Sequence, residues 1–178
     1  VVERPPLFVG GSMGTDIHGY LEVYTKSGWT CKEKIPDNRD CDWFGVLSGT
    51  ENMVNTKPIS MPRGIPANTS TRVIRAKDSF GDGAFDSSWL NLKDFMEHDW
   101  DFKSLDGRES IMSPEGIEVS KAWYNNHDYI RKEYSFAHLE RTAIQLIESN
   151  WMRFLARMER LGKKHGPEGV RIVFWFTC

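Results

Sequence analysis

The residues best placed to do chemistry in this sequence are Asp16 and His18, in the motif Asp16-x-His18. On a β-strand, residues two apart point to the same side, so a carboxylate and an imidazole can meet at one ion or one substrate proton. With Asp82, Asp86 or His98 as a third ligand, they would form an oxygen- and nitrogen-donor site for a divalent metal. Asp16 and His18 are thus the candidate catalytic pair, and Asp16, His18 and His98 the candidate metal ligands. A two-residue motif has little specificity. The structural alternative is an Asp capping a turn, beside a His hydrogen-bonded at the start of a strand.

A second set lies further along. Arg63 stands in a loop braced by Pro62, Gly64 and Pro66. A planar guanidinium on a stiff loop suits phosphate or carboxylate recognition, because its fork grips two oxygens at once. The competing role is an Arg that ties down its own loop. Asp82, Asp86, Ser87 and Ser88 precede Trp89, and Arg63, Asp82, Asp86, Ser88 and Trp89 together are the candidate ligand-binding residues. No G-x-S-x-G surrounds the serines, and capping ahead of a helix accounts for them. Asp82 and Asp86 do not have EF-hand spacing. His98, His127, His138 and His165 form no paired zinc motif. The run from Trp123 to Lys132 mixes aromatic, amide and basic residues, as surfaces that stack on bases or anchor proteins do.

The elements that must position these groups are legible by period. Ile17–Val23 and Trp29–Ile35 alternate around a Thr25–Gly28 turn and predict a β-hairpin, with Trp29, Cys31 and Ile35 on one face. Asn38 or Asp40 can cap a short helix through Leu47 that Gly49 ends. Residues 53–75 hold Pro58, Pro62, Gly64 and Pro66 without a period, which predicts a long loop. Asn91 and Asp94 have the spacing of a helix cap and its carboxylate partner. Residues 99–124 have no readable period. Phe136, Leu139, Ala143, Leu146, Ile147, Trp151, Phe154, Leu155, Met158 and Leu161 recur at helical steps, which predicts one long helix over 135–161, stopped by Gly162. Val170–Phe176 is apolar on both sides except at Arg171, as an interior strand is. The sum is an α+β domain with an antiparallel sheet packed by helices, spanning 13–178. Residues 1–12, with Pro5-Pro6 and Gly10-Gly11-Ser12, look like a leader, an upstream extension or a cloning remnant ahead of Met13.

The composition narrows the function classes. Among 178 residues, 39% are hydrophobic and 27% charged, which argues for a folded core. A net charge of −2 does not call for a nucleic-acid backbone as partner. No apolar run approaches a membrane span and no secretory signal is present, so a membrane is not expected as partner. Cys31, Cys41 and Cys178 form no CxxC pair, and an odd, scattered set fits a reducing cytoplasm.

Several blocks, read in order, resemble a group of uncharacterised small proteins of bacteriophages and prophage-bearing bacteria. Met13–His18 (MGTDIH) opens the resemblance, and Arg39–Gly49 continues it. Pro62–Pro66 is similar to the group's PRGLP, Ser88–Leu92 to its SWLTL, and Val170–Phe176 closes the match. The group has no known activity. It commonly carries a His before the SWL block, where this chain has Gly83–Ser87, and a polar pair at its end, where this chain has Thr177 and Cys178. If that His serves chemistry in the group, the chain has lost it. The resemblance, taken with the braced loop, the richness in aromatic residues and the lack of a complete catalytic constellation, leads to the expectation of a cytoplasmic accessory protein of a bacterial host cell that binds a host protein or a small nucleotide-like ligand. A metal-dependent phosphate-ester hydrolase and a self-associating assembly protein are the rivals. The hydrolase requires Asp16, His18 and a third ligand in one pocket. A nucleotide binder requires a ring-lined pocket around Arg63, and an assembly protein a large exposed apolar patch.

Overall fold

A computed structural model describes residues 14–37, 39–119 and 134–178. Its centre is a four-stranded antiparallel sheet in the order β2-β1-β9-β3, built from β1 (Asp16–Thr25), β2 (Gly28–Lys34), β3 (Phe85–Asn91) and β9 (Val170–Thr177). The fold is α+β, as the sequence predicts. Strand β9 pairs on both sides and is buried from Val170 to Phe176, which explains its apolar residues on both faces.

Helices cover the first face of the sheet. Helix α1 (Cys41–Ser48) starts at Asp40, whose carboxylate accepts from the Trp43 N–H, and ends at Gly49 in the left-handed conformation. After α2 (Thr71–Asp78), helix α3 (Leu92–Glu97) opens with a reciprocal capping box between Asn91 and Asp94. Helix α4 (Ser149–His165) lays Trp151, Phe154 and Met158, one helical stripe, into the core. These meet Ile17, Leu21, Val23, Ile172, Phe174 and Phe176 of the sheet. Two small antiparallel sheets lie between α3 and α4. One joins β4 (Lys103–Leu105) to β8 (Glu140–Thr142), and the other joins β5 (Ser110–Met112) to β6 (Glu118–Val119) and β7 (Ser135–Ala137).

The second face carries α2 and the irregular chain before it. Its smaller cluster is Val73, Val173 and Trp175, with Tyr20, Cys31 and Trp89 packed around them. Among the described residues, no helix is long and apolar enough to cross a membrane.

The structure corrects five expectations. The long helix begins at Ser149, not Ser135, because Ser135–Ala137 and Glu140–Thr142 pair with β5 and β4 instead. Phe136, an apolar position of the supposed stripe, is 53% exposed. Gly162 does not stop the helix, which runs on to His165 and closes at Gly166 with φ +78°. Gly162 instead makes room for Leu92, whose Cδ2 would lie 2.3 Å from an added Cβ. Ile35 parts from Trp29 and Cys31, because a bulge opposite Leu21 and Glu22 skips Lys32 and turns Ile35 to the first face. The loop predicted over 53–75 ends at Ser70, where α2 begins. Ser87 and Ser88 lie in β3 rather than at a helix cap, with Asp86 at φ +44° where the register with β9 slips. Within residues 99–124, which have no readable period, the structure places β4, β5 and β6, and residues 120–124 lie outside the described residues, as do the run from Trp123 to Lys132, the cap candidate Asn38 and residues 1–12.

Candidate functional site

The second face of the sheet is where the polar residues collect. Register places Asn91, Arg171, Glu22 and Cys31 in one row across all four strands. Arg171 and Glu22 are buried, at 3% and 0% exposure, which makes their partners decisive. The Arg171 Nε and Nη2 both donate to Glu22 Oε2, at 2.9 and 2.8 Å. The other Glu22 oxygen accepts from the Ser70 N–H at 2.9 Å, and Arg171 Nη1 donates to Asn68 Oδ1 at 3.0 Å. The pair therefore fastens the chain over 68–70 onto the sheet. Burial lowers the Arg171 pKa from its ordinary value, and Glu22 pulls the other way. The guanidinium also lies 3.8 Å from the centre of the Trp29 ring.

A matching arrangement stands on the opposite edge strand. Arg63 donates through Nη1 and Nη2 to the two oxygens of Asp94, at 2.8 and 3.0 Å, and through Nε to Ser60 at 2.8 Å. Its backbone N–H donates to the Ser88 Oγ at 3.1 Å, and its guanidinium lies 4.9 Å from the centre of the Trp89 ring. Asp94 is also the capping carboxylate of α3, accepting from the Asn91 N–H at 2.8 Å. Arg63 thus holds its own loop against β3 and α3, with its fork already filled by a carboxylate.

Between these fixtures lies a groove of about 460 Å³ lined by Trp29, Pro66, Asn68, Trp89, Asn91 and Arg171. That volume falls within the range of small-molecule sites. The indoles come from the two edge strands, whose backbones are about 14 Å apart by three strand spacings. Lys93 and Glu168 pair across 2.8 Å beside it. Such a groove offers π faces at its ends, amides on its floor and wall, and cations whose charges carboxylates already balance. Chemically it is suited to a planar, polar-edged ring.

The other proposed residues are placed as follows. Asp16 and His18 share the second face but turn to different partners. Arg39 donates to both Asp16 oxygens, the Nη2 bond being 2.9 Å, and holds that carboxyl below the usual range. His18 Nε2 meets Thr177 Oγ1 at 3.0 Å, and its ring sits 4.5 Å from that of Phe80. Burial lowers the His18 pKa and favours the neutral imidazole. His98 closes α3 against Trp100, whose ring centre is 4.8 Å away, on the first face of the sheet. Asp86 accepts from the Thr50 hydroxyl at 3.0 Å, and Asp82 lies in a 3₁₀ turn over Gly81–Gly83. Among the described residues, no three His, Cys, Asp or Glu side chains gather where they could hold a metal. Asp16 and His18 therefore have no third ligand from Asp82, Asp86 or His98.

Of the candidate ligand-binding residues, Trp89 lines the groove, whereas Arg63 packs on the Trp89 ring and is bound to Asp94 and Ser60, outside the groove lining. Trp29, Asn68, Asn91 and the Glu22–Arg171 pair were missed. The available signal was Arg171, a charged residue in the otherwise apolar run of β9, whose cross-strand neighbour in β1 is Glu22. The chain matches no protein-family model, no curated protein and no solved structure.

Proposed function

We propose that the protein is a binding module that takes the nucleobase end of a small nucleotide-like ligand into the Trp29–Trp89 groove. The observation that carries this reading is a groove lined by one indole from each edge strand, each in contact with a guanidinium, and by the amides of Asn68 and Asn91. Stacking on Trp or Tyr rings tolerates any base, because every base has a π face, and edge amides add hydrogen bonds. Both guanidinium groups are engaged by carboxylates, so the ring and not the phosphate provides the main hold. The setting that the MGTDIH, PRGIP and SWLNL blocks support is an accessory protein of a phage or prophage.

Tryptophan fluorescence tests it. Titration with a panel of nucleosides and their monophosphates should quench emission saturably, with nucleoside and monophosphate binding within about threefold of one another. Trp89→Leu should weaken binding at least tenfold, as loss of one stacking partner does. Absence of saturable quenching with every member, or unchanged binding in Trp89→Leu, overturns the reading.

A further inference from the structure

The side chains that line the Trp29–Trp89 groove have a one-sided hydrogen-bonding character. The Asn91 Oδ1 accepts from the Asp94 N–H at 2.8 Å, as the cap of α3, and the Asn68 Oδ1 accepts from Arg171 Nη1 at 3.0 Å. A backbone N–H and a guanidinium can only donate, so these partners fix which way each carboxamide is turned. The NH2 end of each is left: among the described residues, neither Asn68 Nδ2 nor Asn91 Nδ2 has a hydrogen-bond partner. Neither is sealed in the interior, since Asn68 is exposed and the half-buried Asn91 has no buried, unpartnered atom. The indole N–H groups of Trp29 and Trp89 stand the same way, unpartnered among the described residues and open to solvent, unlike those of Trp43 and Trp175. Glu168, the remaining side-chain acceptor of the lining, takes the Lys93 ammonium through Oε1 at 2.8 Å.

Resting on the reading of this groove as a nucleobase site, we infer that it selects oxo bases, such as uracil and hypoxanthine, over the amino bases cytosine and adenine. The free N–H donors of Asn68 and Asn91 meet a carbonyl oxygen on the base edge. Uracil presents O4 where cytosine has an amino group, and hypoxanthine presents O6 beside N7 where adenine has an amino group. An exocyclic amino group set against a carboxamide NH2 puts donor against donor, and leaves both without the partners they had in water. Within each pair the rings have the same size, so stacking on the indoles contributes almost equally and the edge decides. Asn68 and Asn91 thus set the specificity of the groove, and the indoles its affinity.

Fluorescence titrations of the full chain with uridine, cytidine, inosine and adenosine test this. Uridine should bind more tightly than cytidine, and inosine more tightly than adenosine, by about fivefold or more, the worth of one hydrogen bond. Asn68→Asp, an exposed substitution, keeps the oxygen that Arg171 binds and turns the NH2 into a second acceptor. It should bring each pair within about twofold. Asn91→Ser keeps a side-chain cap for α3 and removes the NH2, and should weaken the oxo bases while leaving the amino bases nearly unchanged. Saturable binding of all four nucleosides with no preference within either pair overturns the inference and leaves the nucleobase reading standing. A preference that survives both substitutions at full size does the same. No saturable binding of any of the four overturns both.

Discussion

The two faces of the central sheet are built on different physics. On the first, Ile17, Leu21, Ile172, Phe174 and Phe176 meet α1, α3 and α4 in a continuous apolar layer that needs no specific partner. On the second, the same strands present Glu22, Arg171, Tyr20, His18 and Trp175, and the first two and His18 each depend on particular atoms elsewhere in the chain. The first face stabilises through area. The second stabilises little, because a buried ion pair barely recovers its own desolvation, but it fixes where Trp29 and residues 68–70 sit. The contrast teaches that this chain keeps its apolar layer and its proposed binding groove on opposite sides of one four-stranded sheet.

That contrast breaks most visibly under truncation. Trp151→Ala on the first face should cost about 3–5 kcal/mol in urea or guanidinium unfolding, the usual toll for removing a large buried ring. Arg171→Met alone should cost a similar amount, about 3–5 kcal/mol, because it strands the Glu22 carboxylate in the interior. The double variant Glu22→Leu/Arg171→Met should recover most of that loss, since neither charge then remains to be buried. An additive double variant would mean that the second face relies on the pair for stability after all. A smaller effect sharpens the picture at the junction of the faces. Asn91→Ala removes the cap of α3 and should cost about 1 kcal/mol. It should also loosen Asp94, and with it the seat of Arg63.

The acid side of the stability profile distinguishes the faces as well. His18 and His98 both have pKa values lowered from 6.5, chiefly by burial. As pH falls, the unfolded chain takes up these protons first. The stability tied to the neutral rings is therefore whole above 6.5 and is lost as pH drops through that value toward the folded pKa. Replacing His98 by Phe, on the apolar face, should flatten urea midpoints measured between about pH 7.5 and about pH 5. An unchanged slope in His98→Phe would assign the acid sensitivity to His18 and the second face alone.

Much of the first face was legible in the sequence and little of the second. Periodicity found the hairpin, α1 with Asp40 as one of two cap candidates and Gly49 at its end, α3 with its capping box, and the interior strand β9, because local chemistry and tertiary burial agree there. It overran at Ser135–Ile147, where apolar spacing suits a helix but cross-strand partners more than thirty residues away at Lys103–Leu105 win. It missed α2, whose only buried residue is Val73, so no apolar stripe announces it. It missed β3 because Asp86, at φ +44°, interrupts the alternation before Ser88 and Trp89 resume it. Little of the groove was legible: Trp89 stands out in sequence, but Trp29 joins it only through the pairing of β2, β1, β9 and β3. Nothing local relates residues 22, 29, 68, 91 and 171.

The measurement that tests the account most directly is ligand titration of the double variant Glu22→Leu/Arg171→Met beside the wild type. The account predicts a folded protein of nearly unchanged stability that has lost at least tenfold in nucleoside affinity, because Trp29 and the 68–70 segment no longer have the guanidinium and carboxylate that position them. Wild-type affinity in that stable double variant would contradict it, and would show that the buried pair does not shape the groove.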